Sequence, residues 1–152
     1  FIIILAGLIL PFIISPPDSF TAKSTQSRYN KEALTDFLTK NNLNNNRLIV
    51  CFYGASCRFC QLAAKKLDVM IKKAETKSHM HIAFMGSSQK ISSFVNDNVG
   101  IKDVSISKVE PGEFLRITHG KMPVILLLDN NNVIGGFGYR DLPEDKILQF
   151  LD

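Results

Sequence analysis

A chain of 152 residues, 45% hydrophobic and 21% charged, is long enough for one domain with a well-buried core plus an appendage, and its composition excludes a disordered class. The formal net charge of +4 comes from lysines scattered among acids, which describes a solvated surface and not a nucleic-acid stripe. Three cysteines are too few for a disulfide scaffold, so the hydrophobic core must hold the fold.

The first stretch, FIIILAGLILPFII, has no charged or polar side chain from Phe1 to Ile14. A full bilayer span takes about 20 apolar residues. Three readings compete: the end of a transmembrane helix, a signal-peptide core, and a buried helix of the domain. No basic flank or small-x-small cleavage site is visible, and the run is apolar all round where a core helix would be amphipathic. Pro11 is tolerated in a membrane helix and costly in a soluble one. Residues 1–20 are therefore expected to be an apolar helix, a membrane anchor or the end of a transmembrane helix. Residues 21–30 continue a polar stretch that starts at Ser15-Pro16-Pro17 and read as a linker. Lys23, Arg28 and Lys31 point weakly to the cytoplasm, but the charge rule compares two flanks and one is visible.

Residues 31–152 carry the domain. Ala33, Leu34, Phe37 and Leu38 have helical spacing over Lys31 to Lys40, and the Asn-rich NNLNNN ends that helix. RLIVCFYG is a continuous apolar run, the mark of a strand buried on both faces. Cys57 to Lys73 is predicted as an amphipathic helix with Leu62, Ala63, Leu67, Met70 and Ile71 on one face. MHIAFMG is a short strand, residues 88 to 99 form a helix around Ile91, Phe94 and Val95, and VSISKV alternates like a strand. Pro111 opens a further helix through Ile117. PVILLLD is a buried strand, NNN turns the chain, VIGGFGY pairs back as a hairpin, and LPEDKILQFLD closes with a helix. This order predicts an α/β fold, a mixed central sheet with helices on both faces.

Cys57 follows Gly54-Ala55-Ser56 and opens the predicted helix, where unpaired backbone N–H groups favour an anion. That position lowers a thiol's pKa, and Arg58 adds to the effect. Cys60 lies one turn further in, closer to the helix interior. An exposed, activated thiol backed by a sheltered partner is what thiol–disulfide exchange requires. Zinc wants four ligands, and His79 and His81 alternate across Met80 while His119 is far downstream, so no metal is expected. A purely structural CxxC disulfide closes too small a loop to stabilise much. A redox couple is favoured.

LIVCFYGASCRFCQLAAKKL resembles the active-site strand, turn and helix of the thioredoxin superfamily, with CRFC in place of CGPC. KMPVILLLDNNNVIGGFG is similar to the same family's proline-headed strand and hairpin. The long stretch between MHIAFMG and KMP resembles the TlpA-like, membrane-anchored branch. The resemblance covers roughly residues 31 to 152. It implies a thioredoxin-like fold, catalytic Cys57 and Cys60, a cis-proline at Pro123 facing the couple, and no cofactor. It also implies a substrate-binding surface of Arg58, Phe59, Met122 and Pro123, with the backbone at 122 pairing with an extended substrate segment.

One departure concerns the family's buried acid, six residues before the first cysteine; here that position is Cys51. Glu32, Asp36, Asp68 and Glu110 stay unranked as substitutes. Replacing Gly-Pro by Arg58-Phe59 should favour the reduced pair and give a more oxidising couple. The expected function is a membrane-tethered thiol–disulfide oxidoreductase that exchanges disulfides with the thiols and disulfides of partner proteins. A membrane electron donor or acceptor would serve it, no nucleic acid is involved, and the domain would face the bacterial periplasm. The alternative is a docking module of a larger membrane protein whose CxxC is structural or vestigial.

Overall fold

The computed structural model describes residues 28–74, 79–101 and 103–152. The apolar run expected to be a membrane helix lies outside the described residues. Among the described residues no helix is long and apolar enough to cross a membrane.

The elements in chain order are α1 (Lys31–Lys40), β1 (Arg47–Gly54), α2 (Arg58–Ala74), β2 (Met80–Met85) and α3 (Ser88–Asn98). They continue with β3 (Val104–Lys108), α4 (Pro111–Thr118), β4 (Val124–Asp129), β5 (Asn132–Phe137) and α5 (Glu144–Leu151). The strands form one sheet in the order β3-β2-β1-β4-β5. β1 runs parallel to β2 and β2 to β3, while β4 is antiparallel to both β1 and β5. The sheet is therefore mixed, as the element order predicts.

β1 sits at the centre and is buried from Leu48 to Gly54. Its alternate side chains go to two separate cores. Leu48, Val50 and Phe52 pack with Phe37 of α1 and Phe114 and Ile117 of α4. Ile49, Cys51 and Tyr53 pack with Leu67 and Met70 of α2, Phe94 of α3 and Ile147 of α5. Helices thus cover both faces of the sheet.

Local chemistry sets the element ends. Asn30 caps α1, its side-chain oxygen accepting the Ala33 N–H at 3.0 Å, and the Asn30 N–H reaches the Ile117 carbonyl at 2.7 Å. Pro111 occupies the first turn of α4, where its missing N–H costs nothing. Asn130 and Asn131, at φ 48° and 64°, supply the left-handed pair that a tight hairpin needs between β4 and β5. Two details differ from the sequence reading. The α2 helix begins at Arg58, with Cys57 just before it, and Leu62 is 38% exposed where helical spacing assigns it to the buried stripe.

Edge strand β3 is tied inward by a polar cluster. Ser105 spends its hydroxyl hydrogen on the Met80 carbonyl at 3.3 Å, so it accepts from His81 Nδ1 at 2.7 Å. His81 Nε2 then accepts from the Ser107 hydroxyl at 2.8 Å. Burial lowers the His81 pKa to about 4 from the ordinary 6.5. The unfolded chain takes up this proton as pH falls through 6.5, whereas the folded chain refuses it until about 4. Stability from this group is complete above pH 6.5 and is lost between 6.5 and about 4, with no further loss below. Urea midpoints of the wild type minus those of His81→Gln should shrink across that window; a difference independent of pH would refute the assignment.

Candidate active site

β1 ends at Gly54, and the chain turns at once: the Cys57 N–H donates to the Gly54 carbonyl at 3.0 Å. Cys57 then occupies the cap position of α2. Its carbonyl accepts the Gln61 N–H at 3.1 Å, and its Sγ accepts the Cys60 N–H at 3.2 Å. A cap side chain normally offers an oxygen to that N–H; here a sulfur does so. The Cys57 sulfur thus faces a backbone donor at the N-terminal end of a 17-residue helix.

The three cysteines are free thiols in different surroundings. Cys57 is half-buried, while Cys60 and Cys51 are fully buried in the α2 face of the core. The Cys60 thiol is pushed far up, first by burial and then by its hydrogen bond with Cys57. Burial pushes the Cys51 thiol up to about 12. Both buried sulfurs are therefore held as neutral thiols at rest.

The other expected residues lie close by. The pairing of β1 with β4 ends at Phe52 opposite Val124, so antiparallel continuation carries Met122 beside Gly54. A Cβ on Gly54 would lie 2.9 Å from the Met122 sulfur and 3.3 Å from the Cys57 Cβ. Glycine there lets the Met122 side chain come close to the turn. The Met122–Pro123 bond is cis, Pro123 is buried and Met122 half-buried. Arg58 is exposed, and Phe59, 50% exposed, meets the Tyr139 ring at 5.8 Å. The structure thus gathers Cys57, Cys60, Arg58, Phe59, Met122 and Pro123 at one end of the sheet.

The carboxylates considered for Cys60 are placed elsewhere. Asp36 pairs with Arg116 and Asp68 with Lys72, Glu32 lies in the first turn of α1, and Glu110 precedes α4. Charges acting on Cys60 come from Cys57 and Cys51. Among the described residues no three His, Cys, Asp or Glu side chains converge as a metal site.

Sequence reasoning missed three contributors. Tyr139 belongs to the loop after β5, and its ring contact with Phe59 carries no periodic signal. Arg28 pairs with Asp141 in that loop, and Gly138, whose N–H donates to Asp141 at 2.8 Å, lies against both Arg28 and the Pro123 carbonyl. Tyr53 shares the inward face with Cys51, and the period of two along β1 would have found it.

No family model matches this sequence, and no curated protein matches it. Solved structures do. A secreted disulfide oxidoreductase of Mycobacterium tuberculosis, homologous to E. coli DsbE, matches at TM-score 0.55 and 13% identity, over 73% of this chain and 84% of that one. The thioredoxin domain of a thiol–disulfide oxidoreductase from Bacteroides vulgatus matches at TM-score 0.56 and 13% identity, over 74% and 84%. StoA from Bacillus subtilis matches at TM-score 0.52 and 12% identity, over 70% and 83%. The likeness at these identities is one of fold, and the chain has the mixed α/β thioredoxin-like fold of these structures, the first two of which are named as disulfide or thiol–disulfide oxidoreductases.

Proposed function

We propose that this chain is a thiol–disulfide oxidoreductase that exchanges disulfides with partner proteins through Cys57 and Cys60. The observation that carries the reading is the asymmetry of the couple. Cys57 is half-buried with a backbone N–H on its sulfur, and Cys60 is sealed one helical turn behind it. Cys57 attacks a partner's disulfide and forms a mixed disulfide; Cys60 then attacks Cys57 and releases the partner as a thiol. Met122 packs at the turn that leads to Cys57, with Pro123 next to it in the chain, and the exposed Arg58 and Phe59 offer a charge and an apolar ring to the incoming segment.

The domain arrangement belongs to the same proposal. Residues 1–20 are the membrane anchor or the end of a transmembrane helix, residues 21–30 the linker, and residues 31–152 the catalytic domain. The all-apolar run supports the tether. A couple that must be recharged from outside itself suits a membrane electron donor or acceptor, with the domain facing the bacterial periplasm. One observation favours the docking-module alternative: Cys60 is held protonated by burial, and among the described residues the charges acting on it are those of Cys57 and Cys51.

Exchange chemistry separates the two readings. Iodoacetamide should modify native Cys57 well ahead of Cys60 and Cys51, and the reduced protein should reduce insulin disulfides, an activity abolished in Cys57→Ser. Equal modification of all three thiols, or wild-type insulin reduction no faster than that of Cys57→Ser, would leave the docking module standing. For Cys51, replacement by alanine should cost on the order of 1–2 kcal/mol through a small cavity and leave insulin reduction intact. Lost turnover at unchanged stability would instead make the third thiol a participant. Topology is tested with a membrane-impermeant maleimide on mildly reduced spheroplasts. Labelling of Cys57 is expected before lysis, and labelling only after lysis would place the domain in the cytoplasm.

A further inference from the structure

Among the described residues six large apolar side chains stand exposed: Ile106 on β3, Leu115 on α4, Ile134 on β5, and Phe59, Leu62 and Val69 on α2. Single exposed apolar groups are ordinary, whereas three along one helix form a patch. At about 3.6 residues per turn, these three fall with Arg58, Lys65, Lys72 and Lys73 inside an arc of about 140°. The opposite arc holds the buried Cys60, Ala63, Leu67 and Met70. Val69, two turns beyond Leu62, is 54% exposed although the core on the other side of α2 is complete without it.

Every charged side chain in that arc is a cation, and past Arg58 each is a lysine. Lys72 and Lys73 reach Asp68 and Glu144 at 2.6 and 2.7 Å. An ammonium has three hydrogens, so each can keep its carboxylate and still meet a second anion. Protein interfaces are depleted in lysine and favour arginine and aromatic rings. An anionic lipid surface accepts lysine from any direction, with the side-chain stem lying along the apolar layer. The chain also enters the domain at this place. Arg28 pairs with Asp141, and the loop carrying that aspartate sets the Tyr139 ring on Phe59 at the head of α2. With residues 1–20 as the anchor, residues 21–27 span at most about 25 Å. The head of α2 is thereby kept near the bilayer, at a local concentration where a weak contact suffices.

We propose that the outer face of α2 docks on an anionic bilayer surface, with Leu62 and Val69 in the headgroup layer and Lys65, Lys72 and Lys73 on lipid phosphates. This rests on the anchoring reading above and adds to it the face that turns to the lipid. Arg58 and Phe59 stand at the end of that face, beside Cys57, and stay with the incoming segment. Docking then sets the couple at the level of the headgroups, open toward one side. The partner served best is a protein whose cysteines lie at the same level, embedded in the membrane or held on it.

The full chain contains no tryptophan, so Val69→Trp places a single reporter on the face and Ile134→Trp a single reporter on β5. Each variant is reconstituted with vesicles of brominated phosphatidylcholine, with and without phosphatidylglycerol. In the anionic vesicles the Val69→Trp emission should move to shorter wavelength and lose at least about half its intensity to the bromines, as a side chain at the headgroup–acyl boundary does. It should keep its water-exposed value in phosphatidylcholine alone, and return to that value in about 1 M salt or when Lys65→Glu is added. Ile134→Trp should be unquenched in both lipids. A second measurement needs no variant: a water-soluble acylating reagent should modify Lys65 at least about threefold more slowly on the anionic vesicles than on the neutral ones, with Lys146 on α5 unaffected. Equal Val69→Trp emission in the two lipids, equal quenching of Ile134→Trp, or equal acylation of Lys65 overturns the docking face. If the chain still floats with both kinds of vesicle, the anchor reading survives that result; a chain that floats with neither overturns the anchor and the docking together. A Val69→Trp shift that appears only in a mixed disulfide with insulin, trapped by Cys60→Ser, gives the face to the protein partner and overturns the lipid proposal.

Discussion

The structure depends first on the burial of β1 on both faces. Hydrogen-bonded to β2 on one side and β4 on the other, it sends Leu48, Val50 and Phe52 into one core and Ile49, Cys51 and Tyr53 into the other. A slip of one residue would exchange every side chain between cores of different shape. Register is therefore fixed over the whole strand, and with it the depth at which Cys51 and Tyr53 lie beneath α2.

The site follows from where that strand stops. Because Phe52 faces Val124 in the antiparallel pair, the segment preceding β4 must pass Gly54, and Met122 lands against the turn that leads into α2. Gly54 leaves room for this approach; the cap position of α2 puts the Cys57 sulfur on a backbone N–H. The same few residues thus end a strand, start a helix and receive a second segment from across the sheet. The ring of Tyr139 against Phe59 and the Arg28–Asp141 pair hold the loop after β5 at the same rim.

Much of this was legible in the residues, for a physical reason. Continuous apolar runs such as RLIVCFYG and PVILLLD suit only strands covered on both faces, and Asn-Asn turns and Pro111 mark element ends by their backbone preferences. The cysteine spacing, with the Met-Pro pair, pointed to the residues that meet at the end of the sheet. Periodicity failed where it reports a face without reporting what covers it. Leu62 has the spacing of the buried stripe, yet like Phe59 it is exposed near the head of α2, where Cys60, Ala63 and Ala64 are buried. Tyr139 could not be read at all, since a loop residue meets its partner through tertiary geometry alone.

Cys51 shows how one position couples stability to chemistry. A carboxylate there would have to be desolvated in a core where Ile49, Tyr53 and Cys60 are all fully buried, a large cost unless it stays protonated or finds a partner. A thiol avoids that cost, being small, weakly polar and neutral at a pKa of about 12. The same neutrality removes any base from beneath Cys60. What favours the Cys60 thiolate must then act without accepting a proton, as the backbone of Gly54 does, while burial and the hydrogen bond with Cys57 hold the proton on. Such a site stabilises the thiolate once formed but leaves its proton to the departing group, which ties the resolving step to the basicity of the partner's thiol. A core that dispenses with a buried charge gains stability and transfers part of the acid–base work to the substrate.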